Sequence, residues 1–159
     1  MNIIEKWKFK SYYKTLILQV DMKDCGVAAL ASIAKFYGSD HSLTTLRKLA
    51  QTSIDGTSAL EIVTAAQALG FDTQAIKADM SLRECNDVKY PFIAHVIKQE
   101  KYSHYYVVYQ VSDNYIIIGD PDPSVKVIKP NKIEFEKEWT GVALFSSQII
   151  NIKLKKKEN

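Results

Sequence analysis

The stretch Gln19-Val20-Asp21-Met22-Lys23-Asp24-Cys25-Gly26-Val27-Ala28-Ala29-Leu30-Ala31-Ser32-Ile33-Ala34-Lys35-Phe36-Tyr37-Gly38 sets a cysteine at the start of an apolar segment. Val27, Leu30, Ala31, Ala34 and Phe36 recur at helical spacing, and Gly38 suits the left-handed residue that closes a helix. Cys25 is therefore expected at a helix N-terminus, where unpaired amides and the helix dipole favour a thiolate. A thiolate is the form that attacks carbonyl carbon. Gly26 is read as leaving room for a substrate backbone. Read without its helix, the same cysteine would be a small packing residue.

Two further helices follow. One covers Leu43 to Ala50. The other opens on the capping box Ser58-x-x-Glu61, shares a face through Leu60, Val63, Ala66 and Leu69, and ends at Gly70. After Gly70 the period changes from helical to alternating. Strands are expected at Phe71–Lys77, Pro91–Ile97, His104–Val111, Tyr115–Gly119 and Val125–Ile128, with Gly141–Phe145 closing the sheet. Asn131–Glu138 reads as a short helix or turn. Helices first and an antiparallel sheet second make an α+β domain.

The chain has 159 residues, 47% hydrophobic and 25% charged, enough for one domain with a substantial core. No apolar run approaches the ~20 residues that cross a bilayer, and Met1–Lys14 is charged and aromatic rather than signal-like. These features predict a cytoplasmic setting. The net charge of +3 is concentrated in the tail Lys153-Leu154-Lys155-Lys156-Lys157, and without those four lysines the body stands at −1. A near-neutral body argues against a nucleic-acid surface. The tail is read as a solvated end or as a linker near anionic lipid headgroups. Two cysteines, Cys25 and Cys85, are too few for a four-cysteine zinc site. Cys85, in the polar run Arg83-Glu84-Cys85-Asn86-Asp87, is read as a bystander.

A nucleophilic cysteine needs a base. His41 precedes a helix and is expected at the surface. His95 lies mid-strand. His104 opens a strand, where a side chain reaches a cleft from a rigid frame. If residues 112 and 113 form a two-residue hairpin loop, paired positions sum to 225, so His104 faces residue 121 and Asp120 lies beside it. Asp120 then orients the far ring nitrogen of His104. Alone, Asp120-Pro121 would be only a turn signal. Gln19, six residues before Cys25, offers an amide to a developing oxyanion alongside the Cys25 backbone N–H.

Gln19-x-x-x-x-Asp24-Cys25-Gly26, His104-Tyr105-Tyr106-Val107-Val108 and Asp120-Pro121 together resemble the cysteine, histidine and aspartate boxes of the double-glycine leader peptidase domains. These stand at the N-terminus of ABC transporters that export bacteriocins and competence pheromones, and the chain resembles the peptidase domain of the streptococcal ComA-type exporters among them. Asp55-Gly56 and Leu69-Gly70-Phe71 resemble the family's middle region. The resemblance runs from about Leu18 to Phe145. It implies a papain-like fold and cleavage of a precursor peptide after a Gly-Gly pair. Cys25, His104 and Asp120 would be catalytic and Gln19 would help form the oxyanion hole. The narrow path for glycine would be lined from Val20 to Lys23 and by Ser103, and substrate contacts are expected at Met22, Lys23, Asp24, Ser103 and Tyr105.

The resemblance further implies no metal for hydrolysis, with ATP and Mg only in a nucleotide-binding domain outside this chain. The partners implied are a precursor with an amphipathic helical leader ending in Gly-Gly and the transmembrane and nucleotide-binding domains of the same transporter. Residues 1–150 would form the peptidase domain and 151–159 a linker toward the membrane, on the cytoplasmic side. Two other functions share these features: a papain-like thiol acyltransferase, and a module that holds leaders without cutting them.

Overall fold

A computed structural model describes residues 2–148. The basic tail 151–159 lies outside the described residues. In chain order the elements are α1 (Ile3–Thr15), α2 (Cys25–Phe36), α3 (Leu43–Ala50), α4 (Ala59–Ala68), β1 (Phe71–Lys77), β2 (Phe92–Lys98), β3 (Tyr102–Val111), β4 (Ile116–Asp120), β5 (Lys126–Ile128), α5 (Lys132–Glu138) and β6 (Trp139–Gln148). One antiparallel sheet runs β1-β6-β2-β3-β4-β5. Helices lead and the sheet follows, so the α+β expectation holds.

The sheet has two covered faces. On one, α2, α3 and α4 bury Leu30, Ile33, Leu46 and Ile62 against Tyr105, Val107 and Tyr109 of β3. On the other, Phe135 of α5 and Met80 and Leu82 of a 3₁₀ turn pack on Phe92, Val96, Tyr106 and Ile118. Alternation along β3 assigns neighbouring side chains to opposite cores. The central helix α2 is buried from Cys25 through Ala34, so only its last turn meets solvent. Leu30, fully buried, fills that centre. Leu30→Ala is expected to lower unfolding stability by about 2–5 kcal/mol, read as a lower denaturant midpoint.

Four details differ from the sequence reading. The N-terminal segment is helical: α1 opens on a capping box in which Asn2 accepts from Glu5 N at 2.9 Å and Glu5 accepts from Asn2 N at 3.3 Å. The core face of α4 is Ile62, Ala65 and Ala66, while Leu60 is 76% exposed. Gly26 faces its own protein, not a ligand. A Cβ there would meet Ile62 Cδ1 at 2.9 Å and Thr57 Cβ at 3.3 Å, so hydrogen at this position lets α2 seat against α4.

The fourth concerns the β3–β4 hairpin. Its loop is Asp113-Asn114, closed by Ser112 N donating to Tyr115 O at 2.9 Å. Val111 pairs with Ile116 and Gln110 with Ile117, but past an irregularity at Tyr109 the pairs become Val108–Ile118 and Val107–Gly119. The pairing sum of 225 is therefore replaced by 227 beside the loop and by 226 beyond the irregularity. The bulge brings the end of β4 level with the start of β3 by a route the loop alone does not predict.

Candidate active site

The site forms where the N-terminus of α2 meets the start of β3 and the end of β4. Asp24 is the N-cap of α2, yet its side chain caps nothing in that helix. Its carboxylate is fully buried and bound in fork geometry by Arg47, with Nε to Oδ1 at 2.7 Å and Nη2 to Oδ2 at 2.6 Å. It also accepts from Asp21 N at 3.0 Å. The Arg47 hydrogen bond acts first on the Asp24 carboxyl, holding it below the usual carboxylate range against the cost of burial. This arrangement does two things for Cys25. It neutralises the negative charge next in sequence, and it leaves the first-turn amides of α2 without a side-chain acceptor. Asp24 was expected to touch substrate. Burial and the fork with Arg47 remove it from that role and make it a support for the helix start.

His104 is 8% exposed and Asp120 is fully buried. His104 Nε2 and Asp120 Oδ1 are 2.6 Å apart. Asp120 Oδ1 also accepts from Asp122 N at 2.9 Å, and Oδ2 accepts from Lys98 Nζ at 2.7 Å. Every acceptor direction of Asp120 that matters is thus engaged, and the carboxylate cannot swing from the ring. The other side of the imidazole faces Cys25. Burial would lower the His104 pKa, but the Asp120 hydrogen bond and the Cys25 side chain outweigh it and hold the ring at about 9. Burial likewise works to raise Asp120, and the hydrogen bonds and charges of His104 and Lys98 overcome it and lower its pKa. The sequence did not point to Lys98. It is 22 residues from Asp120 and reaches it across the sheet from the end of β2.

These directions fix the pH behaviour. The folded His104 binds its proton more tightly than an unfolded histidine of pKa about 6.5. Its contribution to stability is complete below the unfolded value and disappears as pH rises through about 9. Turnover that needs a protonated His104 should fall over the same alkaline limb. Lys98→Met removes a cation that shares Asp120 with His104, so the alkaline limb of kcat/KM is expected to move to higher pH. An unmoved limb would show that Lys98 has no influence on the ring.

Gln19 N donates to Pro121 O at 2.8 Å, which ties the approach to α2 to the residue after Asp120. Its side-chain Oε1 is buried without a hydrogen-bond partner among the described residues.

A cleft of about 160 Å³ opens beside Cys25, lined by Met22, Lys23, Ser103 and Tyr105 and walled by the Ile54–Thr57 loop. Met22, Lys23, Ser103 and Tyr105 were expected there. The loop wall is not legible from spacing, although Asp55-Gly56 resembles the family's middle region. Its tight turn, with Gly56 N and Ser53 O bonded at 3.0 Å, is what brings it over the cysteine. Ser103 is held by His95 Nε2 at 2.7 Å, and His95 Nδ1 meets Thr140 Oγ1 at 3.0 Å. Burial keeps His95 below the usual histidine range, with Lys77 adding to the effect. His41 Nε2 lies 3.3 Å from Ser39 Oγ, and His41 does not line the cleft. Cys85 is exposed and lines a separate groove with Asp72, Gln74 and Phe145. Among the described residues no group of three or more His, Cys, Asp or Glu is placed to hold a metal ion.

A cysteine on a free helix end, facing an imidazole that a buried carboxylate holds, in an α+β frame of this order, defines a cysteine peptidase. The chain belongs to the peptidase C39 family, whose model matches residues 13–149. It is 53% identical over 142 residues to the lactococcin transport/processing ATP-binding protein LcnC-like of Lactococcus lactis subsp. lactis (strain IL1403), covering 89% of this chain and 19% of that protein. The chain therefore spans about a fifth of the length of that curated relative. In structure it is similar to the peptidase domain of Streptococcus ComA, a bi-functional ABC transporter involved in a quorum sensing pathway, with TM-score 0.81, 55% identity and coverage of 84% of this chain and 98% of that one. It is also similar to a double glycine motif protease from an AMS/PCAT transporter in complex with its leader peptide, with TM-score 0.75, 25% identity and coverage of 84% and 91%.

Proposed function

We propose that this chain is the leader-removing domain of a peptide-exporting ABC transporter and cuts its precursor after a Gly-Gly pair. The observation that carries the reading is the narrow cleft beside Cys25, at the end of a helix whose cap has turned away. The thiolate of Cys25, with the proton on His104, attacks the carbonyl carbon of the second glycine. The oxyanion is received by the Cys25 N–H and the Gln19 amide. His104 passes its proton to the leaving nitrogen, the C–N bond breaks, and the mature peptide departs as an amine. Water then adds to the thioester as His104 takes up a proton, and the leader leaves as a carboxylate. Asp120 holds the ring in the required tautomer throughout.

The cleft supports the choice of glycine: Tyr105 on one wall and the Ile54–Thr57 loop on the other bound a space of about 160 Å³ beside Cys25, which favours residues without side chains at the scissile bond. Every step uses groups of this chain and water. ATP and Mg are assigned to a nucleotide-binding domain of the full transporter, and the precursor reaches the site on the cytoplasmic side of the membrane. No helix among the described residues is long and apolar enough to cross a membrane, so a membrane-spanning part is assigned to other segments of the full protein.

The test is a synthetic peptide with an amphipathic leader and a Gly-Gly junction, incubated with the domain and read by mass spectrometry. A product ending at the second glycine, absent when that glycine is alanine, is expected. Tight binding without cleavage across several leaders would instead identify a leader-holding module. Transfer of the leader to an added amine in preference to water would identify an acyltransferase.

A further inference from the structure

Helix α1 contains no buried residue. Turning about 100° per residue, Ile3, Trp7 and Ile4 fall within an arc of about 100°. Glu5, Phe9 and Tyr12, half-buried against the body, lie on an arc centred roughly 160° away, and Thr15, the last residue of the helix, is half-buried as well. Ile3, Ile4 and Trp7 are 75%, 67% and 73% exposed, three large apolar groups side by side in water. Lys6 and Lys10 flank this arc on one side and Lys8 on the other, and Lys14 continues it into the last turn. The helix's single acid, Glu5, is on the body side and is used in the capping box with Asn2. Behind Ile4 and Lys8, toward the body, a groove carries Glu5 and Lys129 together, so its one acid is matched by a cation. The outward face of α1 is therefore apolar at its tip, basic along both flanks and without a carboxylate.

We infer that α1 seats on the surface of an anionic bilayer, with Ile3, Ile4 and Trp7 in the headgroup boundary and the lysines against lipid phosphates. A basic helix with an apolar, tryptophan-bearing face lies in such an interface, held jointly by burial and by attraction to negative lipid. Lys6 and Lys10 on one side of the apolar cluster and Lys8 on the other place cations on both flanks, an arrangement that suits a plane of negative headgroups. The site chemistry lies elsewhere, so this inference stands whether or not the peptidase reading does.

The experiment is flotation of the domain with vesicles of phosphatidylcholine alone or of phosphatidylcholine and phosphatidylglycerol in equal parts. Binding is expected only with phosphatidylglycerol, weakening as salt rises, with Trp7 fluorescence shifting to the blue. Trp139, half-buried and donating to Val142 O at 3.1 Å, supplies an unchanged background. The double variant Ile3→Glu/Trp7→Glu is expected to lose binding about tenfold or more. Its thermal unfolding and its peptide turnover in vesicle-free solution should be unchanged, because both positions are solvent-facing. A second pair, Lys6→Glu/Lys10→Glu, should do the same through charge alone. All variants keep the basic tail, so retained binding in both would assign the attraction to residues 151–159 and overturn the inference. Equal binding to both vesicle types, or none to either, would also overturn it.

Discussion

Replacing Cys25 by alanine is expected to lower turnover of a Gly-Gly peptide by at least about 10³-fold while leaving leader binding and the unfolding midpoint nearly unchanged. The size of the effect follows from chemistry rather than contacts. Alanine offers no nucleophile, and water attacking the same carbonyl gains only the oxyanion donors that remain. The small effect on folding follows from the position. Cys25 is 6% exposed at the edge of the larger core, and the loss of one sulfur there opens little space. Mass spectrometry supplies the readout and a denaturant titration the control. If Cys25→Ala kept activity while Cys85→Ser lost it, the exposed thiol would be the nucleophile and the site drawn above would be wrong.

The second large effect is expected at Asp120. Asp120→Asn keeps the shape but replaces an acceptor that holds the imidazolium with an amide that can donate to the wrong nitrogen. A loss of about 10²-fold or more in kcat is expected, with KM nearly unchanged. A distinct signature accompanies it. The hydrogen bond and charge of Asp120 hold the His104 pKa up against burial, so the variant should lose the alkaline limb near 9 and titrate at lower pH. Lys98 also bears on the outcome, since its Nζ at 2.7 Å loses an anionic partner in the same variant. A profile that falls in height but keeps its alkaline limb would mean that another group holds the proton on His104.

The readable parts of the chain were those encoded within one or two turns. Cys25 at a helix start, Gly38 and Gly70 as left-handed stops with φ of +92°, and the Ser58/Glu61 box are local signals, and the structure shows each of them. Asn2-x-x-Glu5 is the same kind of signal and would have disclosed α1, but the lysines around it concealed the helix. The apolar stripe of α4 was displaced because two rows of the helix, one through Leu60 and one through Ile62, carry similar residues. Only the position of the sheet beneath decides which is buried.

What was hidden depended on distance in sequence. Arg47 reaches Asp24 across 23 positions and Lys98 reaches Asp120 across 22. No spacing rule links either pair. The neighbourhood of His104 and Asp120 was foreseen from the hairpin, yet the register came from a bulge at Tyr109 that no turn residue announces. Gly119 shows why the strand end is so closely fixed. A Cβ there would meet Leu16 Cδ1 at 2.8 Å and Tyr109 Cε2 at 2.9 Å, so the backbone before Asp120 lies against side chains from two other parts of the fold.

The uncapped start of α2 has a consequence for anyone who would harden this domain against heat. A side chain that accepts from the first turn of a helix stabilises it by about 0.5–2 kcal/mol, and Asp24 forgoes that gain by pointing at Arg47. A serine or threonine at residue 24 would not recover it, because either one gives up the fork with Arg47, and breaking a buried ion pair costs about 3–5 kcal/mol, more than a cap returns. A screen for heat resistance at this one position should therefore return aspartate, so that the open helix end on which the proposed chemistry depends is guarded by the stability of the fold itself.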